Sequence, residues 1–349
     1  MKKTLRVVLA VAGMVALVVL LVWLSIPPDP DLVIYTSADD AYSRPLVAEF
    51  RRRSGLDVRL VTDAEAAKTT GLYKRLLAEQ KEESGPVADV FWNNEISRTL
   101  LLARKGVLQP FTPGTLEEIP EEFRAKDGTW YGLACRVRVI IYNTDLVAKD
   151  QAPRSVGDLA RERWKGKAAM AEPLFGTTAT HCAALRTLRG MNRQTANAFF
   201  KQLIDNKIRV VAGNSVVARM VAEGRVEVGL TDTDDAWNLK DQGKPVEIVY
   251  PDQRRGEPGA LIIPNTASLI RGAKHPEAAK RFLDFLLSAE AEKMLARPPS
   301  RHLPVRPNVP AAPDTRALYE IVNPMRVDWQ KVADAVEDQV KDLREIFPR

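Results

Sequence analysis

Cysteine and histidine are scarce in this chain, with two of the first and three of the second in 349 residues. No HxxxH, HExxH or CxxC spacing occurs, which argues against a structural zinc centre. Cys135 and Cys182 lie far apart, and spacing does not say whether they bridge in an oxidising compartment or remain separate thiols. A dominant charge sign is missing too. Lysine and arginine total 51 against 45 acids, and three of the bases (Lys2, Lys3, Arg6) sit at the amino end, leaving 48 against 45. That balance is not the footprint of a nucleic-acid binder. The run Arg51 to Arg53 lies among acids and reads as a solvated helix flank. Repeats, low-complexity tracts and a Walker phosphate loop are all absent.

One long apolar run is present. Residues 7–26 carry no charge and follow the basic cluster, so they are long enough to cross a bilayer as a helix, amino end inside. No small-x-small cleavage pattern follows Trp23 to Ile26; Pro27, Pro28 and Pro30 begin a stiff linker instead. Residues 1–30 are therefore expected to be a signal anchor and linker, with the bulk of the chain exported. About 320 residues remain, more than one compact unit normally holds, and two lobes are expected.

Strand and helix signals then alternate almost to the end, predicting an α/β architecture with mostly parallel sheets. The segment from Val33 to Val61 reads as strand, polar loop, amphipathic helix and strand, with Leu46, Val47 and Phe50 at helical spacing and Gly55 as a stop. Further helices are predicted over 65–83, 95–105, 276–287 and 328–346. Strands are expected at 88–91, 132–143, 167–170, 208–211, 226–230, 246–249 and 260–263. The 132–143 strand, GLACRVRVIIYN, is long enough to pass from one lobe into the other.

Four loops at strand carboxyl ends carry the candidate chemistry, because such ends form the ligand edge of a parallel sheet. Asp39 and Asp40 follow the first strand, either as ligands or as an Asx turn capping the next helix. Asn94 and Glu95 follow the strand ending at Phe91, with Asn94 read as the helix cap and Glu95 as a first-turn charge. Gly176, Thr177 and Thr178 open a helix whose N–H groups make either an anion site or an ordinary cap. Asp232, Asp234 and Asp235 crowd another helix start, suited to a cation or to capping. Arg136 and Arg138 lie on the crossing strand. His181 is a lone histidine beside a cysteine, and His275 and His302 are expected in exposed loops.

In their order, IYTSADDAYSRPLVAEFRRRSGLDV, ADVFWNNEI, RVRVIIYN, NSVVARMVAEGRVEVGLTDTDDAW and PGALIIPN resemble family 1 extracellular solute-binding proteins, the ferric-iron-binding type serving ABC importers. The resemblance implies a two-lobed periplasmic-binding-protein-like fold and a ligand cleft between the lobes. Residues 31–138 with about 260–308 would form the amino-terminal lobe, and 139–259 with about 309–349 the other. It also implies closure about the crossing strand, a membrane permease as partner with its ATPase on a separate chain, and a monomer without catalytic activity.

Where iron-binding members present two adjacent tyrosines, this chain has Asp234 and Asp235. Their histidine ligand matches Asp39, and their glutamate falls at Asn94, with Glu95 one residue on. Carboxylates still suit a hard cation. By resemblance, Asn214 and the Gly176, Thr177, Thr178 loop would hold a synergistic anion such as phosphate or carbonate beside Fe(III). Asp39, Glu95, Asp234 and Asp235 would then form the cation side, and Gly176, Thr177, Thr178, Asn214, Arg136 and Arg138 the anion side. Asn94, Asp232 and His181 are secondary candidates. Other readings stay open: a receptor for organophosphates or phosphonates, an anchored sensor ectodomain, and a metal-dependent phosphoesterase, which the scarcity of histidine disfavours.

Overall fold

The computed structural model describes residues 29–62 and 69–348; the anchor expected over residues 7–26 lies outside them. Among the described residues no helix is long and apolar enough to cross a membrane. The chain opens on β1 (Leu32–Thr36), all five residues buried, and α1 (Asp40–Ser54) carries it to β2 (Val58–Thr62). Gly55, at φ 71°, ends α1 by donating its N–H to Arg51 O. Then come α2 (Thr70–Glu79), β3 (Val90–Asn93), α3 (Ile96–Arg104) and β4 (Leu108–Gln109).

Strand β5 (Tyr131–Asn143) is buried at all thirteen positions. It is followed by β6 (Ala168–Ala171), α4 (Gly176–Thr187), α5 (Arg193–Asp205), β7 (Arg209–Val211), α6 (Asn214–Ala222), β8 (Val228–Asp232), α7 (Thr233–Asp241) and β9 (Val246–Val249). The chain closes with β10 (Ile262–Ile270), α8 (Pro276–Leu286), α9 (Ala289–Leu295), α10 (Trp329–Asp338) and α11 (Val340–Ile346).

Strand order is β2-β1-β3-β10-β5-β8-β6-β7, with β4 on β10 and β9 on β5. The first half of β5 pairs antiparallel with β10 as far as Val137; from Arg138 onward it pairs antiparallel with β8 and β9. Each half of the molecule is thus mostly parallel, with one reversed strand: β10 in the first and β5 in the second. Because β5 belongs to both, Arg136 and Arg138 lie where the halves meet.

The return strand runs on to Ile270, well past the expected 260–263, because Pro264 and Asn265 interrupt its sequence pattern at an irregularity in its pairing with β5. The expected carboxyl-terminal helix over 328–346 divides at buried Gln339, whose Nε2 donates to Ala179 O on α4. Helix α10 straddles the halves. Trp329 and Ala333 join the core around Leu100 and Leu101 of α3, while Val332 and Val336 join that around Ala183 and Ala184 of α4. Both cysteines are buried and unbridged.

Candidate functional site

The carboxyl ends of β1, β3, β6, β7 and β8 converge on one cavity of about 60 Å³, bordered by Asp39, Asn94, Glu95, Arg136, Gly176, Thr177, Thr178, Asn214 and Asp235. Arg138, Asp232 and Asp234 stand behind this lining. Ser37, Thr69, Glu172 and Phe175 also border the cavity and were not anticipated. Ser37 and Phe175 sit in or beside loops already singled out, so their position was the only signal available.

On the first half, Ser37 Oγ donates to Asn93 Oδ1 (2.7 Å) and accepts from Asn94 N (2.8 Å), tying the two loops together. Asn94 was expected to cap α3, but Glu95 does so: its carboxylate accepts from Ser97 N (2.7 Å) and Arg98 N (3.1 Å). Glu95 also accepts from Thr180 Oγ1 on α4 at 2.9 Å, a bond between the halves. Asn94 is held elsewhere, its Nδ2 donating to Tyr42 OH and its carbonyl accepting from Arg136 Nη2 at 2.7 Å. Its buried Oδ1 and the Nε of Arg136 have no partner. Asp39 starts α1 without a side-chain cap bond.

On the second half, Asp232 is fully engaged. Arg138 Nη1 donates to its Oδ1 (2.8 Å); Thr177 Oγ1 (2.6 Å), Asn214 Nδ2 (3.0 Å) and Arg136 Nη1 (3.3 Å) reach its Oδ2. Both Arg138 and Asp232 are wholly buried. Their pairing offsets a desolvation cost that either alone would bear in full. Asn214 is positioned by Gly229 on β8, where a Cβ would meet Val217 Cγ1 at 2.5 Å. Only glycine lets α6 lie this close to the strand. Gly176, at φ 54°, opens α4 in the left-handed region. Neither α4 nor α6 has a side-chain cap, so their first turns present N–H groups towards the cavity.

The three aspartates of the β8–α7 turn each place an oxygen within 4.8 Å of the others. They differ in their surroundings. Burial alone would raise Asp234, but Arg136 and then His302 outweigh it and hold its carboxyl well below the usual range. Burial, followed by the charges of Asp234, Asp39 and Asp232, pushes Asp235 well above it. His302 was expected in an exposed loop, yet it is wholly buried, edge-on to Tyr42 and 3.4 Å from Asp234. An isolated histidine in a proline-rich stretch gives no periodicity from which burial can be read. His181 is buried on α4 and does not border the cavity; burial and then Arg138 lower it to about 3, keeping it neutral.

Residues 85–334 match the family model described as bacterial extracellular solute-binding protein. The chain belongs to that family. The Fe(3+)-binding periplasmic protein of Serratia marcescens is 24% identical over 271 residues, 76% of each chain. The major ferric iron-binding protein of Neisseria meningitidis serogroup A is 26% identical over 317 residues, 88% of each. Iron-bound HitA of Pseudomonas aeruginosa superposes with a TM-score of 0.80 at 24% identity, covering 90% of this chain and 99% of that one. The family's two-lobed periplasmic-binding fold is the architecture seen here, and the family description places the chain's work outside the cytoplasm.

Proposed function

We propose that this chain is the extracytoplasmic receptor of an ABC importer, taking iron(III) or another hard metal ion together with a small oxyanion such as phosphate or carbonate. The lobes are residues 31–138 with about 260–308, and 139–259 with about 309–349. They hinge about β5, and the closed form docks as a monomer on a membrane permease, with residues 7–26 as anchor. The observation that carries this reading is a carboxylate cluster at a small cavity: Asp232, Asp234 and Asp235 each place an oxygen within 4.8 Å of the others, and Asp235 borders the cavity. A cation relieves that repulsion, and hard carboxylate oxygens suit a hard ion.

Asp39 and Asp235 take the cation, with Glu95 and Asp234 beside them. The first turns at Gly176, Thr177, Thr178 and Asn214 take the anion with Arg136, and Arg138 fixes Asn214. The names of the relatives support iron as the ion. A phosphate ester without a metal fits less well, because it brings a dianion to this carboxylate cluster. The test is thermal unfolding against Fe(III) nitrilotriacetate with and without phosphate, divalent metals, and sugar or amino phosphonates. Fe(III) with phosphate is expected to raise the midpoint and Asp235→Ala to abolish the shift. A shift with a phosphate ester alone, and none with Fe(III), would overturn the reading.

A further inference from the structure

The adjacent carboxylates Asp234 and Asp235 look interchangeable in sequence, but the fold turns them to different tasks. Asp235 borders the cavity; Asp234 does not. Asp234 Oδ2 lies 3.4 Å from Arg136 Nη1 and 3.4 Å from His302 Nε2. It stands on α7, in the half built on β6, β7 and β8. His302 belongs to the other half: its N–H donates to Leu295 O on α9, its ring meets Tyr42 of α1 edge-on at 4.7 Å, and its Nδ1 faces Asn265 of β10. Arg136 completes the link, with one nitrogen on Asn94 O of the first half and another on Asp232 and Asp234 of the second.

We propose that Asp234, Arg136 and His302 form a latch between the lobes, so that Asp234 is a positioning residue for closure while its neighbour Asp235 meets the cargo. This rests on the binding reading above for Asp235 alone. The 3.4 Å bond from Arg136 exceeds the 2.7 to 2.9 Å typical of a tight charge-assisted bond, and His302 Nε2, equally distant, makes no hydrogen bond. The latch therefore biases the closed form without locking it, and opening the cleft breaks it at small cost. Loss of this bias lowers the closed fraction, and the apparent affinity falls in proportion.

The test reads lobe separation without cargo. Spin labels go on Ser84→Cys and Lys201→Cys, exposed positions on opposite halves, in the full-length protein, where the two native thiols are buried. In the cargo-free wild type a single short distance is expected. Asp234→Asn and His302→Leu should each add a longer population, and His302→Gln, which keeps a polar N–H group facing Asp234, should restore the short one. Asp235→Asn should keep the short distance. With Fe(III) and phosphate, the two latch variants should bind no more than roughly tenfold more weakly, the loss expected if about a tenth of molecules stay closed.

An unchanged cargo-free distance in Asp234→Asn and His302→Leu would overturn the latch, as would a wild type already open. If Asp234→Asn does not fold, the His302 pair decides. If no metal binds even the wild type, the distances still decide the latch, so failure of the binding reading is told apart from failure of this one.

Discussion

The helix after β3 and the helices after β6, β7 and β8 begin in the same topological place, yet their first turns are finished differently. On the first half, Glu95 caps α3 with its own carboxylate. On the second, α4, α6 and α7 have no side-chain cap, and Asp232, at the cap position of α7, turns instead to Arg138. At α3 the chain caps its own first turn; at α4, α6 and α7, and at α1 behind Asp39, no side chain caps the turn. Uncapped first turns leave N–H groups that an anion can satisfy.

The largest expected effect comes from removing the charge that lets Asp232 organise the second half. Arg138→Met strands a wholly buried carboxylate and should cost about 3 to 5 kcal/mol, read as a lowered urea midpoint. Asp252 of the same half shows what a buried carboxylate does without a cation beside it. Burial, then Glu257 and Asp158, raise it to about 6 against a single opposing bond from Val156 N. The folded state then holds a proton that the unfolded state has released between about pH 4 and 6. Stability is therefore greatest at the acid end of that window and falls as pH rises through 6. Asp252→Asn should flatten this slope in thermal unfolding while leaving Fe(III) and phosphate binding unchanged.

On the capped side, Glu95→Ala removes two backbone bonds and the hydroxyl of Thr180, and should cost about 1 to 2 kcal/mol by chemical unfolding. The smallest effect is the most pointed. Gly213 occupies the cap position of α6 in an extended conformation open to any residue. Gly213→Ser should finish that turn and gain only a few tenths of a kcal/mol. It should also weaken phosphate binding measured by calorimetry. Unchanged phosphate binding would mean the open turns are incidental to the ligand.

The alternation of apolar and amphipathic segments made the α/β layering and the crossing strand legible, because hydrophobic period reports which face of an element is buried; the family was legible from the resemblance of five motifs in their order. Boundaries were less legible where local chemistry opposed the pattern, as with Pro264 in β10 and Gln339 between α10 and α11. The loops at the cavity were legible as loops: polar clusters at strand ends gave Asp39, Gly176 and Asp235, and the family resemblance gave Asn214, all of which border the cavity. The roles inside the loops were not. Nothing in NNE told that Glu95 rather than Asn94 caps α3, since both sit one turn from the same N–H groups and only backbone geometry selects between them.

The sequence alone determined what the chain is built from: parallel α/β halves joined by an arginine-bearing strand, two adjacent acids, Asp234 and Asp235, at the start of one helix, and little histidine or cysteine. Only the tertiary structure decided which carboxyls pair inside the fold and which border the cavity. Asp232 is taken by Arg138, Asp234 by Arg136 and His302, while Asp235, the next residue on, borders the cavity. Partners such as His302 arrive from more than sixty positions away in sequence, and the low dielectric of the interior makes their separation in space, which no local pattern encodes, set the charge of each carboxyl.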